Sequence, residues 1–144
     1  CGKIAFNALE DPIHREILEE HARSPRCQKF LDSFTHSANW ISEKTGNRCE
    51  ITANINNQIV RDIYFKSQGS ALSIACGSIM CCEVKGMATR EVKNLCFSLS
   101  EYVLKGTEFS LFGDLEVYRT IIRFSERHDC SLLCWRALEK SLNH

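Results

Sequence analysis

The chain has 144 residues, 18 lysines and arginines against 18 aspartates and glutamates, 44% hydrophobic residues and nine cysteines. That length suits one domain over residues 1–144, with a core large enough to need no staples. Zero formal charge speaks against a nucleic-acid partner, and the longest apolar stretch, Ala71 to Cys82, is too short to span a membrane. The cysteine count is odd, Cys81 and Cys82 are adjacent, and no secretory leader is visible, so the thiols are expected to be reduced in a cytoplasmic protein. The chain opens at Cys1-Gly2 without a methionine, which reads as a trimmed start rather than a lipidated cysteine.

In chain order, Asp11-Pro12 opens a first helix, with Asp as N-cap and Pro in the first turn. Ile13, Ile17 and Leu18 give it an apolar face, and Ser24-Pro25 stops it. Residues Phe34 to Ile41 form a weakly patterned edge strand. Ile51, Ala53 and Ile55 alternate with polar residues, as a half-buried strand requires. Asn56-Asn57 supplies a tight turn, and Ile59, Ile63 and Phe65 share one face of the next strand, with Arg61 out of pattern. Ser67-Gln68-Gly69 breaks that strand. Ser70 to Glu83 is a nearly all-apolar helix, expected to be buried on most sides and ended by Lys85-Gly86. Thr89 to Val103 is amphipathic and closed by Lys105-Gly106. Asp114 caps a helix carrying Leu115, Tyr118, Ile121 and Ile122, and a last helix starts near Asp129 or Cys130. The order implies an α+β fold: a small antiparallel sheet with helices packed on one face.

Three junctions stand out as places to build a site. Cys49 enters the first confident strand, Ser70 joins a Gly-containing loop to a helix, and Cys130 starts the last helix. A helix N-terminus favours thiolate, which makes Cys130 the leading reactive or metal-binding thiol; a small buried hydrophobe is the competing reading. His128 and Asp129 beside it are both metal-ligating types. Cys76, Cys81, Cys82 and Cys96 fall in helical apolar patterns and are expected in the core, as is Cys134 before Trp135. Cys27 is expected to be a loop thiol. No CxxC, GxGxxG, GxxxxGK[ST], GxSxG or HExxH motif occurs.

Several segments together resemble the U-type iron–sulfur cluster assembly proteins, a family containing the NifU N-terminal domain, IscU and SufU, and most of all the SufU branch. They are Ile17-Leu18-Glu19-Glu20-His21-Ala22-Arg23-Ser24-Pro25-Arg26, the run from Gln68 to Met80 with its Gly69-Ser70 start, Lys85-Gly86, Gly113-Asp114-Leu115-Glu116, and the ending Arg127 to Glu139 with Cys130, Trp135 and Leu138. The resemblance implies a site of three cysteines and an aspartate. Cys49 matches the first Cys, of a Cys-Gly-Asp motif before a strand, although Glu50-Ile51 follows it in place of Gly-Asp. Ser70 stands at the second Cys position, and Cys130 matches the third. Glu50 and Asp129 are the carboxylates to consider, and Arg127 matches an arginine that can hold the site's carboxylate or is simply exposed.

What the resemblance implies is a scaffold, or a zinc-dependent acceptor taking persulfide sulfur from a cysteine desulfurase, with zinc or an iron–sulfur cluster as cofactor. Cys130 would be the sulfur acceptor. Its partners would be the desulfurase and other iron–sulfur assembly proteins, with no nucleic acid and no membrane, and it would not be an enzyme in its own right. A divergent member that has lost its metal and acts as a binding or regulatory module is the alternative, motivated by Ser70. A thiol enzyme using Cys130 with His128 or His21 as base is a third reading.

Overall fold

The computed structural model describes residues 11–143; the start at Cys1-Gly2 lies outside them. Helix α1 spans Pro12–Arg23, and the Asp11 carboxylate accepts the Ile13 N–H at 2.8 Å, as the Asp-Pro start predicts. Three strands follow: β1 His36–Ile41, β2 Arg48–Asn56 and β3 Ile59–Gln68. They pair antiparallel in the order β1-β2-β3, which leaves β1 on an edge.

The β2–β3 hairpin departs from expectation in two linked ways. Its turn is Asn57-Gln58, both at positive φ, rather than Asn56-Asn57. Asn54 pairs with Asp62 but Ile55 with Val60, so Arg61 is an extra residue in a bulge. A one-residue slip reverses which side chains face the core. Val60 is therefore buried with Ile63 and Phe65, and Ile59 is not. The strand also runs through Gln68 instead of breaking at Ser67.

Helix α2 (Ala71–Val84) lies across the sheet, and α3 (Thr89–Lys105) and α5 (His128–Leu142) complete the helical layer. The segment between α3 and α5 is not one helix. It is a 3-10 turn at Gly113–Val117 followed by the single turn α4, Tyr118–Ile121. Asp114 does not cap a helix there, because its carboxylate is engaged by His21 of α1 at 2.9 Å.

The core lies between the sheet and α2 and α5. Cys49, Ile51 and Ala53 of β2 and Val60, Ile63 and Phe65 of β3 point into it. Close approach of α2 to the sheet depends on Gly77: a Cβ there would lie 2.6 Å from the Phe65 ring and 3.0 Å from the Cys134 sulfur. Tyr118 is fully buried, and its hydroxyl donates to the Ser131 carbonyl and accepts from the Trp135 indole at 3.1 Å, which ties α4 to α5. Of the cysteines expected in the core, Cys76, Cys81, Cys96 and Cys134 are there, but Cys82 is exposed.

Candidate functional site

Three chain segments meet at one end of the sheet: the β1–β2 turn, the Gly69-Ser70 junction before α2, and the first turn of α5. The β1–β2 turn is folded by its own side chains. The Ser42 hydroxyl accepts from the Lys44 and Thr45 N–H groups, and Thr45 Oγ1 accepts the Asn47 N–H at 3.1 Å. Gly46 takes φ +76, which glycine adopts without strain. This turn presents Asn47 to both other segments. The Asn47 amide lies 3.7 Å from the Cys130 sulfur and donates to it. The same amide occupies the space a Cβ at Gly69 would fill, and Gly69 has φ +137, so both sterics and backbone require glycine there.

Ser70 is the N-cap of α2, and its hydroxyl accepts the Ser73 N–H at 3.1 Å. Cys130 sits in the first turn of α5, is 1% exposed, and is disulfide-bonded rather than a free thiol. Asp129 beside it shares one carboxylate oxygen with the Ser42 hydroxyl and the other with Arg136 at 2.8 Å. It fastens α5 to the β1–β2 turn. Arg127 is buried, with its guanidinium 4.3 Å over the Phe124 ring in the turn leading to α5.

The other two residues singled out from the sequence lie elsewhere. Cys49 is fully buried in the core and is bonded to Cys134, with 5.4 Å between their Cα atoms. The expectation of reduced thiols does not hold for this pair. Glu50, its neighbour in β2, alternates to the opposite face of the sheet, opposite Lys66 and beside Arg48, Gln28 and Phe30. The structure thus brings Ser70, Cys130 and Asp129 to one end, holds Cys49 in the core on Cys134, one turn of α5 beyond Cys130, and turns Glu50 to the opposite face of the sheet.

Sequence reasoning missed Thr45 and Asn47. The signal was present: Thr45-Gly46-Asn47 lies just before β2 and repeats the Cys-Gly-Asp pattern, with a hydroxyl for the thiol and an amide for the carboxylate. Cys49, four residues later, is the cysteine that the sequence reading set at the first position of that pattern.

The histidines do not serve Cys130. His21 Nδ1 is hydrogen-bonded to Ser78 Oγ at 2.7 Å while its Nε2 meets Asp114, and His128 Nε2 donates to the Ile122 carbonyl at 3.0 Å. A thiol enzyme with either as general base is not supported by this arrangement.

The residues fit a metal poorly. Zinc takes four donors, drawn from thiolate, imidazole and carboxylate. The end of the sheet offers one cysteine sulfur, three hydroxyls (Ser42, Thr45, Ser70) and an amide (Asn47), and the Asp129 carboxylate is already held by Ser42 and Arg136. Among the described residues no group of three or more His, Cys, Asp or Glu side chains is placed to hold a metal ion.

Residues 13–144 match the model of the NifU-like N-terminal domain. The chain belongs to that family. It is 29% identical over 143 residues to the zinc-dependent sulfurtransferase SufU of Bacillus subtilis, covering 96% of this chain and 95% of that one. It is 25% identical to the iron–sulfur cluster assembly scaffold protein IscU of Streptococcus pyogenes, covering 90% of this chain and 82% of that one. The crystal structure of a nitrogen-fixing NifU-like protein (N-terminal) from Brucella abortus superimposes with a TM-score of 0.78 at 18% identity, over 88% of this chain and 90% of the other. That likeness confirms the α+β fold of this NifU-like chain, with helices packed on the sheet.

Proposed function

We propose that this chain works in iron–sulfur cluster assembly as a sulfur acceptor, with Cys130 receiving sulfur from a cysteine desulfurase. Membership of the family over nearly the whole chain supports the pathway. The observation that carries the role is the position of Cys130: it lies in the first turn of α5, where free N–H groups and the helix dipole favour thiolate, at the convergence of three segments.

The step uses Cys130 in its reduced form. Its thiolate attacks the outer sulfur of the desulfurase persulfide, the S–S bond breaks, the desulfurase thiolate leaves, and Cys130 carries the persulfide. The Asn47 amide donates to the sulfur, so transfer to Cys130 opens that contact. The chain acts as an acceptor in this scheme and not as an enzyme on its own, and it works in the cytoplasm with other assembly proteins. Among the described residues no helix is long and apolar enough to cross a membrane.

The zinc dependence of the SufU relative is not carried over to this chain. Three of the four donor positions, Thr45, Asn47 and Ser70, bear neutral oxygen or amide groups, which compete poorly for zinc or iron against thiolates. The chain is read as a family member that keeps the acceptor thiol without a resident metal. The test is desulfurase turnover with cysteine, measured with the reduced wild-type chain and with Cys130→Ser. Stimulation by the wild type and none by the variant is expected; equal stimulation by both removes Cys130 from the role.

A further inference from the structure

A second group of thiols lies away from the end of the sheet, where the loop after α1 crosses α2. The Arg26 N–H donates to Ser78 Oγ at 2.8 Å, and the Cys27 carbonyl accepts the Phe65 N–H at 2.9 Å, so Cys27 is clamped between α2 and β3. Ser78, Cys81, Cys82 and Lys85 follow at helical spacing along the α2 face that this loop crosses. Cys27 directly follows Arg26 and Cys81 lies about one turn beyond Ser78, so the Arg26–Ser78 hydrogen bond brings Cys27 to the stretch of α2 that carries Cys81. Both are free, Cys27 is half-buried, and Cys81 is fully buried.

Two further features set Cys27 apart. Its backbone has φ +60, a left-handed conformation that Gly or Asn adopts at lower cost, so the fold holds a cysteine where a turn residue would be easier. The groups around it are asymmetric: Cys81, Cys82 and Lys85 from α2, Asp62 from β3 and Lys29 from its own loop. The hydrogen bond from Cys81, with help from Lys85 and Lys29, lowers the Cys27 thiol to about 6 against the opposing cost of its burial. Burial drives the Cys81 thiol the other way.

We propose that Cys27 and Cys81 form a redox-active dithiol, in which a hydroperoxide oxidises Cys27 and Cys81 closes the product to a disulfide. The Cys27 thiolate attacks the peroxide oxygen, the O–O bond breaks, and hydroxide or alkoxide leaves and is protonated, giving the Cys27 sulfenic acid. Cys81 sulfur then attacks the Cys27 sulfur, its proton passes to the departing hydroxyl, water leaves and the S–S bond forms. Two thiols lose two electrons to one peroxide, yielding one disulfide, one water and one alcohol (a second water for hydrogen peroxide). The bond fastens the loop after α1 covalently to α2.

The test uses the full reduced chain, treated anaerobically with hydrogen peroxide, digested under acid quench and mapped by mass spectrometry. A Cys27–Cys81 linked peptide is expected as the first new product. In Cys81→Ala, the sulfenic acid on Cys27 persists and its capture by dimedone rises several-fold over the wild type. In a separate measurement, iodoacetamide labels wild-type Cys27 with a half-maximal rate near pH 6, and this midpoint moves up in Cys81→Ala. A Cys27 that stays reduced, a Cys27–Cys82 link as the main product, or a labelling midpoint unchanged by Cys81→Ala overturns the proposal. The wild-type mapping decides the matter even if Cys81→Ala folds poorly.

Discussion

Replacing Gly77 by alanine tests how α2 is seated on the sheet. Two effects oppose each other. Alanine is the better helix former by about 1 kcal/mol. The new methyl, however, would lie 2.6 Å and 2.8 Å from two atoms of the Phe65 ring and 3.0 Å from the Cys134 sulfur. The ring is fully buried, and the sulfur is tied to Cys49, so neither swings away as the end of a flexible side chain would. Overpacking of this kind costs about 1–3 kcal/mol, and with both neighbours fixed the upper half of that range applies. The net loss is about 1–2 kcal/mol, which for a domain of this size lowers Tm by about 3–7 °C. Thermal unfolding followed by circular dichroism, at one fixed redox state, measures it. Phe65→Leu in the Gly77→Ala background removes the ring edge, and a favourable coupling of about 1 kcal/mol or more between the two changes is expected. A Gly77→Ala protein as stable as the wild type or more so would refute the close packing of α2 on β3.

Two other predictions follow from the structure. Burial, together with the neighbouring Asp114 carboxylate, holds the Glu83 carboxyl above its ordinary value. A carboxyl raised in the folded state favours folding when protonated, and that contribution disappears as pH rises through the raised value. Glu83→Gln, which mimics the protonated form, should therefore be more stable than the wild type at pH 7 and indistinguishable from it near about pH 3, by denaturant titration at both values; a variant less stable at pH 7 contradicts the assignment. The triple change Thr45→Cys, Asn47→Asp and Ser70→Cys should bring zinc in the reduced, purified protein from about none to about one ion per chain by elemental analysis. Equal zinc in both would show that the pattern at Thr45-Gly46-Asn47 is not the donor register.

Elements with strong local signals were legible in the sequence. The Asp11-Pro12 start of α1 and the Gly106 end of α3 depend on side chains and φ values within one turn, and they stand where the residues place them. The all-apolar pattern of α2 announced a helix covered on most sides. The β2–β3 hairpin was legible only to within a residue, because the bulge at Arg61 is a property of the paired strands and has no period of its own. The segment after Gly113 was read as a helix because its apolar spacing is helical, but His21 claims Asp114 from α1, a contact no local pattern displays.

The candidate site was half legible. Cys130 and Ser70 lie on helix starts, which sequence identifies. Cys49 was read as a site thiol from its place before a strand, whereas it is buried and bonded to Cys134, a contact that no local pattern displays. The strand alternation that buries Cys49 beside Cys134 sends Glu50 to the other face, so the two cannot act together. The approach of the Cys27 loop to the stretch of α2 that carries Cys81 was not legible at all, since 54 positions separate the two residues and only the crossing of loop and helix brings those segments together.

The most direct test of the sulfur-acceptor account is to locate sulfur on the chain itself. The reduced protein is incubated anaerobically with a cysteine desulfurase and cysteine, free thiols and persulfides are alkylated, and the peptides are read by mass spectrometry. The account predicts a mass gain of one sulfur atom on the peptide carrying Cys130, lost in Cys130→Ser, in protein free of zinc and iron. Sulfur found only on other cysteines, or on Cys130 only when zinc is bound, would contradict it.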